Sequence, residues 1–552
     1  MKTSQPDHEE RGASVSQTAD APWWRGAVIY QIYPRSFLDS NGDGIGDLKG
    51  VCDGLDYVAG LGVDGVWLSP FFSSPMHDFG YDVSDYCDVD PIFGSMADFD
   101  RIVEKAHALG LKVIIDQVYS HTSDQHAWFR ESRSNLVNDK ADWYVWSDPK
   151  PDGSPPNNWL SVFGGGAWEW DGRRRQYYFH NFLASQPDLN LYNMDVQDAL
   201  LDVARFWLDR GVDGFRLDAI NFAMHDPQLR DNPPALQDRR PLKRPFDYQY
   251  HLYNQSQPEI PQFLERLRRI TDAYNGVFTV AEIGGPDVHN EMKSFTANGT
   301  RLNSAYDFSF LYADQLTVTR TTKAVGAWKG APGEGWPSWA FSNHDAPRAI
   351  SRWAAEAERE QAAKFYAMLL MSLRGNVFLY QGEELGLPQA TVPFEALQDP
   401  EALANWPLTL GRDGARTPLP WKADGASAGF SSGTPWLPVD PAHISLAVNA
   451  QENNDASVLH FIRALIALRK KTPALRQGHL TFIKAGQDVL AFRRHLDGKE
   501  MLCIFNLGEE DRKWRPGDNN HFEIMVSVNA GAAGDALPET LDPLSGYIAR
   551  AS

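Results

Sequence analysis

Cysteine is scarce in this chain: three of its 552 residues, Cys52, Cys87 and Cys503. They are odd in number and far apart in sequence. That leaves no disulfide framework and no zinc-ligand spacing, and it points to a reducing compartment, the cytoplasm. Long apolar runs are also missing. A membrane helix needs about 20 apolar residues, and the nearest approach, Phe365–Tyr380, is broken by Ser372, Arg374, Gly375 and Asn376. Positive charge is in deficit, with 52 Lys and Arg against 72 Asp and Glu, a formal net charge of −20. A nucleic-acid partner is therefore not expected, nor a membrane. Residues Met1–Pro22 lack the apolar core of a signal peptide and read as a disordered tail. No glycine-rich phosphate turn follows the first candidate strand. The triple glycine Gly164–Gly166 has no strand-to-helix context and no nearby Lys, so it reads as a flexible loop. No organic cofactor is expected.

What is present is a repeating pattern. Short, nearly continuous apolar runs recur at Ala27–Tyr33, Gly65–Leu68, Lys112–Asp116, Gly214–Asp218, Val277–Glu282, Ser304–Phe308, Ser338–Ser342 and Asn376–Tyr380. Such runs suit parallel strands buried on both faces. Amphipathic stretches separate them: Ala97–Leu109, behind a capping-box pair Ser95 and Asp98, then Val196–Arg210, Gln262–Ala273, Gln361–Leu373 and Ser457–Lys471. Eight βα units predict an α/β fold, a closed (β/α)8 TIM barrel of roughly 250 residues plus additions. An open doubly wound sheet is the alternative, disfavoured by the absent glycine turn. The expected organisation is a tail over 1–22, a barrel over 23–120 and 192–473 with an irregular insertion at about 382–456, a subdomain over 121–191 inserted after strand three, and an all-β domain over 474–552. The 18 Trp, 19 Tyr and 29 Phe suffice for a large core and would also suit stacking on sugar rings.

In such barrels chemistry collects where strands end. Strand three closes on Asp116-Gln117-Val118-Tyr119-Ser120-His121, strand four on Gly214-Phe215-Arg216-Leu217-Asp218, strand five on Val280-Ala281-Glu282, and strand seven on Ser342-Asn343-His344-Asp345. Any one acid here could be a structural ion pair or a helix cap. Asp218, Glu282 and Asp345 converging on one mouth would repel, a cost that points to function. Carboxyls of this kind suit glycoside chemistry: one ionised group attacks the anomeric carbon, and one protonated group serves the leaving oxygen. Retaining enzymes hold the two roughly 5–5.5 Å apart, in environments that split their protonation. Arg216, two residues before Asp218, shares its side of the strand and would keep it ionised.

These segments resemble the four short conserved regions of glycoside hydrolase family 13, the α-amylase family. A fifth, Gln186-Pro187-Asp188-Leu189-Asn190, is similar to the signature of its oligo-1,6-glucosidase and α-glucosidase branch. The resemblance runs from Trp23 to the end. It implies a retaining, exo-acting α-glucosidase working on a small oligosaccharide or glucoside, as a monomer or homodimer. Asp218 matches the nucleophile, Glu282 the acid/base and Asp345 the third carboxylate that grips sugar hydroxyls. His121 and His344 match sugar hydrogen-bond donors, Arg216 the nucleophile's partner and Asp116 a structural carboxylate. Asp78 and Tyr81, in Asp78-Phe79-Gly80-Tyr81-Asp82, match the residues that bind and stack on the terminal glucose. Arg416 matches the arginine that pairs with that Asp. Phe163 and Phe182 line the entrance in the branch; the other reading places them in the inserted domain's own core. Ala219, directly after the nucleophile, is a residue that in the branch accompanies α-1,4 preference, as Val accompanies α-1,6, so maltose is expected over isomaltose.

The segment Asp39-Ser40-Asn41-Gly42-Asp43-Gly44-Ile45-Gly46-Asp47 resembles the front of an EF-hand loop, without the final liganding Glu and without a preceding helix. It reads as a site for one structural divalent cation, Ca²⁺ or Mg²⁺, with Asp39, Asn41, Asp43 and Asp47 as side-chain ligands and the Ile45 carbonyl as another. The family branch holds such an ion here. Two other functions share the frame. A transglucosidase or isomerase would pass the same intermediate to a sugar or alcohol. Sucrose isomerases of the branch carry an Arg-Leu-Asp-Arg-type stretch where this chain reads Ala349-Ile350-Ser351-Arg352-Trp353, which argues against isomerisation. A non-catalytic transporter heavy chain would have a membrane helix and would lack the carboxylates, and neither holds here.

Overall fold

The computed structural model describes residues 21–235, 244–285, 287–328, 335–409, 411–516 and 521–551. The tail expected over 1–22 lies outside the described residues, except for its last two. Eight parallel strands close a barrel: β1 (Val28–Ile32), β2 (Gly65–Leu68), β3 (Lys112–Val118), β4 (Gly214–Asp218), β5 (Phe278–Ile283), β6 (Ser304–Asp307), β7 (Trp336–Ala340) and β8 (Asn376–Tyr380). Each strand pairs with its sequence neighbours, and β1 pairs with β8, Val28 opposite Val377, to shut the ring. The expected (β/α)8 architecture is the one that forms. β7 begins two residues earlier than its apolar run suggests. Trp336 is drawn into the strand because its ring is buried under the guanidiniums of Arg25 and Arg374, at 4.9 and 4.2 Å.

The two-residue period of a strand sorts the side chains. Ile29, Trp67, Ile114, Phe278, Val280, Tyr306 and Phe378 fill the barrel interior together with Trp24 and Trp336. Val28, Tyr30, Val66, Leu68, Val113, Ile115, Phe215 and Leu217 face outward into the larger core shared with the helices. The interior register runs on to the C-terminal mouth. Ile114 is followed on its side by Asp116, Arg216 by Asp218, and Val280 by Glu282. The polar residues of the site are thus the top layer of the barrel's own interior.

Helices Leu48–Gly60, Met96–Ala108, Met194–Asp209, Ile260–Thr271, Val288–Phe295, Val318–Gly326, Arg359–Ser372 and Val458–Lys471 surround the barrel. The capping box at Ser95 and Asp98 is present. Between β3 and Met194 the chain forms a three-stranded antiparallel sheet, with Gln176–Phe179 between Trp146–Ser147 and Trp168–Asp171. Its small core is Val145, Trp159, Ala167, Trp168 and Phe179. After Gln477 come β9 (His479–Ile483), β10 (Val489–Leu496), β11 (Lys499–Asn506), β12 (Phe522–Val528) and β13 (Gly546–Ala551), an antiparallel sheet in the order β9-β10-β11-β13-β12. Buried Arg469 and Arg494 bind this sheet and helix Val458–Lys471 to the barrel. Arg469 donates to the carbonyls of Met371, Leu373 and Gly375, and Arg494 to those of Ser372 and Gly478. Burial lowers both guanidiniums from their usual pKa. The three cysteines are free thiols. Among the described residues no helix is long and apolar enough to cross a membrane.

Candidate active site

The β3, β4 and β5 ladders bring three carboxyls onto one guanidinium. Asp116 pairs in register with Arg216, and Arg216 with Val280, two residues below Glu282. Arg216 is wholly buried, and its Nη1 lies 2.7 Å from Asp116 and 2.5 Å from Asp218. Its Nη2 lies 2.5 Å from Glu282. Trp67 Nε1 donates to Asp116 at 2.9 Å, and the Tyr306 hydroxyl donates to Glu282 at 3.1 Å. The planar fork of an arginine suits this geometry, and its charge persists at any working pH. One positive charge cannot neutralise three acids. Burial pushes Asp116 up to about 6 and Asp218 and Glu282 each up to about 7, with Arg216 pulling all three back down. Two adjacent acids under this strain titrate as a pair and keep one proton between them near neutrality.

Asp345 differs from that pair. Burial opposes its charge, but His344, Arg416 and Arg412 outweigh it and hold its carboxyl far below the usual range. Arg416 Nη2 lies 2.6 Å from Asp345, and Arg412 Nη1 lies 3.4 Å away. Asp345 is therefore an ionised acceptor beside the shared-proton pair.

A cavity of about 490 Å³ opens over these groups. Asp78, Tyr81, His121, Phe163, Phe182, Asp218, Ala219, Glu282 and Asp345 all reach its wall. His121 is buried, neutral because burial lowers it to about 3, and braced by Ser120 Oγ at 2.9 Å and Gln186 Nε2 at 3.1 Å. Phe182 packs between His121 and Phe222 at ring-centroid distances of 5.0 and 5.3 Å, and Phe163 sits 5.9 Å from Phe182. Three of the predicted residues lie behind the wall instead. Arg216 is beneath its carboxyls. His344 is fully buried under Tyr81, the rings stacked at 5.5 Å, with Nε2 3.2 Å from Asp345. Arg416 is fully buried behind Asp345.

The sequence expectation for Arg416 needs correction. The partner of Asp78 is Arg412, whose Nη2 lies 2.7 Å from Asp78 and 2.8 Å from Asp399. Arg416 binds Asp345 and donates to the His344 carbonyl at 2.7 Å. The short helix Asp413–Arg416 begins directly after Arg412, so residues four apart stack on one face. The first arginine reaches the cavity wall and the second the layer below it. Asp399, Gln186 and Tyr306 complete the site and were not singled out from sequence. Of these only Gln186 lay in a quoted motif.

Ala219 has φ +36° and ψ +41°, in the left-handed region. That conformation costs an L residue about 1–2 kcal/mol. It turns the Ala219 N–H toward Glu282 Oε2, 3.4 Å away.

The Asp39–Asp47 loop sits beside β1, against residues 430–436. Asp39 accepts hydrogen bonds from the N–H groups of Asn41, Gly42 and Gly44 and from Ser431 Oγ. Burial works against its charge, but these bonds hold its carboxyl below the usual range. Asp43 accepts from the Ile45 N–H, and Asp47 caps helix Leu48–Gly60 through the Gly50 N–H at 2.7 Å. Among the described residues no three His, Cys, Asp or Glu side chains are gathered in a metal-binding group. The expected ligand set counts an amide and a carbonyl as well. Its all-oxygen chemistry fits a hard cation, Ca²⁺ or Mg²⁺.

Comparison with known proteins shows what the whole chain is similar to. The family model described as "Alpha amylase, catalytic domain" matches residues 31–478. A protein of Rhizobium meliloti (strain 1021) described as "Probable alpha-glucosidase" is 54% identical over 500 residues, 89% of this chain and 90% of that one. An oligo-1,6-glucosidase of Heyndrickxia coagulans is 36% identical over 537 residues, 90% of this chain and 94% of that one. Among solved structures, an alpha-glucosyl transfer enzyme, XgtA, superposes with a TM-score of 0.92 at 52% identity, covering 97% of this chain and 100% of that one. The trehalulose synthase MutB of Pseudomonas mesoacidophila MX-45 superposes with a TM-score of 0.88 at 34% identity, over 97% of this chain and 100% of that one.

Proposed function

The chain belongs to the α-amylase family of glycoside hydrolases, in its α-glucosidase and oligo-1,6-glucosidase branch, and from that premise we propose a retaining, exo-acting α-glucosidase. Its substrates are short α-linked glucosides, with maltose-type α-1,4 bonds preferred. The observation that carries the reading is the placement of Asp218 and Glu282 on the two terminal nitrogens of one buried guanidinium. This arrangement supports a double displacement. Asp218 attacks the anomeric carbon as Glu282 gives its proton to the leaving oxygen, and a β-glucosyl ester forms on Asp218. Glu282 then takes a proton from water, whose oxygen displaces Asp218. Ionised Asp345 accepts sugar hydroxyls, neutral His121 borders the sugar on the same wall, and Asp78 with Arg412 closes the pocket on the non-reducing end. Proton NMR of early product tests the reading: α-glucose should appear before mutarotation, with Asp218→Ala folded and silent. Initial β-glucose would overturn it.

A second reading, dedicated glucosyl transfer, is favoured by the wall itself. Phe163, Phe182, Phe222, Phe246 and Phe308 line the cavity, an apolar surface suited to a bulkier acceptor than water. Product analysis with maltose alone and with an added alcohol separates the two. We also propose that the Asp39–Asp47 loop holds a Ca²⁺ or Mg²⁺ ion, with Asp39, Asn41, Asp43, Asp47 and the Ile45 carbonyl as ligands. Its effect there is to stiffen the β1 loop against residues 430–436.

A further inference from the structure

One side chain outside the cavity joins the two loops that carry the reacting carboxyls. Asn221 lies three residues after Asp218, in the single turn Ile220–Phe222, and is 1% exposed. Its amide nitrogen donates to the Gly284 carbonyl at 2.6 Å, two residues past Glu282. The same nitrogen lies 3.4 Å from Ser256 Oγ, and the Asn221 carbonyl accepts the Ser256 N–H at 2.6 Å. Ser256 Oγ donates in turn to Glu291 at 3.0 Å, on helix Val288–Phe295. Asn221 is thereby bonded to the end of β5 and to the returning arm of the β4 loop at once.

Both carboxyls stand on the strand ladders and each lies 2.5 Å from Arg216; they differ in the backbone that follows. Asp218 closes β4 and runs directly into the turn Ile220–Phe222 that carries Asn221. Glu282 sits one residue from the end of β5, and Gly284-Gly285 follows. Gly285 has φ +140°, and at Gly284 a Cβ would meet the Phe308 ring at 2.7 Å. The glycines leave no side chains to pin the backbone and raise the entropic cost of holding it. The Asn221 amide pins it by the carbonyl. Asn221 Oδ1, meanwhile, is buried and has no hydrogen-bond partner among the described residues.

We infer that Asn221 is a positioning residue for proton transfer: by holding the Gly284 carbonyl it fixes Glu282 relative to Asp218. This rests on the reading of Glu282 as acid/base. The test uses two substrates of the full chain. Maltose leaves through a basic hydroxyl and needs the proton; α-glucosyl fluoride leaves with little acid assistance. For Asn221→Ala and Asn221→Asp, kcat/KM on maltose should fall on the order of 10²-fold, the usual cost of a misplacement near 1 Å, while kcat/KM on the fluoride stays within about threefold, the acid contribution being bypassed. The lost base step should lower kcat on the fluoride, and azide should restore it with release of glucosyl azide. Equal losses on both substrates, no loss on either, or no azide response would overturn the inference. Wild type inactive on both substrates would instead overturn the proposed function. If Asn221→Asp folds poorly, Asn221→Ala carries the comparison.

Discussion

Replacing Arg412 by Met separates the two arginines of the Asp413–Arg416 turn. The guanidinium of Arg412 touches three carboxylates, Asp78 at 2.7 Å, Asp399 at 2.8 Å and Asp345 at 3.4 Å, and is 8% exposed. Methionine keeps the volume and removes the charge. Asp345 retains Arg416, and Asp399 retains the residue-412 backbone N–H. Asp78 retains only neutral donors, among them Gln186 Nε2 at 3.1 Å. A hydrogen bond to a charged group is worth about 1.5–3 kcal/mol, and removing one partner of a buried pair costs about 3–5. Taking about 2–4 kcal/mol, kcat/KM on maltose should fall by roughly 30- to 1,000-fold, mostly through KM because Arg412 is on the cavity wall. The loss should shrink as pH rises. Burial already raises the Asp78 carboxyl and Arg412 opposes this, so the variant raises it further and Asp78 regains its anion as pH rises. Arg416→Met, one layer lower behind Asp345, should instead depress kcat. The assay is steady-state kinetics of both variants across pH beside their melting curves. A silent Arg412→Met alongside an Arg416→Met that raises KM would refute the assignment of Arg412 to Asp78.

Three further outcomes are expected. The kcat/KM profile on maltose should be a bell. Asp218 and Glu282, both raised to about 7 by burial, lose activity in acid when the pair takes a second proton and the nucleophile is quenched. They lose it in base when the shared proton leaves and the acid is gone; a flat profile across about pH 5–9 would refute the shared-proton pair. Chelation should lower the melting temperature by linkage, with activity lost only as the fold loosens, and Asp43→Ala should abolish the chelator's effect. Immediate inactivation of a folded protein would refute a structural ion. Ala219→Val should shift the kcat/KM ratio toward isomaltose by up to about 10–200-fold and destabilise by about 1–2 kcal/mol, because a branched side chain suits the left-handed region poorly. An unmoved ratio would refute Ala219 as the linkage selector.

The barrel was legible because burial on both faces leaves an apolar run that few other structures need. Gly65–Leu68, Gly214–Asp218 and Asn376–Tyr380 are strands with the bounds their sequences predict. The start of β7 was not, since Trp336 and Pro337 carry no strand pattern and Trp336 is recruited by cations distant in sequence. Helix Leu48–Gly60 was missed as well: two glycines interrupt its pattern, and its N-cap Asp47 reads equally as a cation ligand. In the site, residues that close strands were readable, because the ladder fixes their height and side. Arg412 and Arg416 were not separable, being one turn apart with identical chemistry. Asn221 gave no signal, because its role depends on a carbonyl 63 positions away.

The closure of β1 on β8 has a consequence during synthesis. Val28 waits for Val377, roughly 350 residues later, about 20–70 s at ~5–20 residues per second. Asp39 likewise waits for Ser431, and Asp78 for Arg412. The nascent chain therefore carries a first strand open along one edge, and an acid in its future pocket still without its arginine, for most of its time on the ribosome. The ring cannot be completed from the N-terminus forward. Premature release anywhere before residue 376 leaves an open sheet with two apolar edges, the form of this chain most exposed to chaperones and to aggregation.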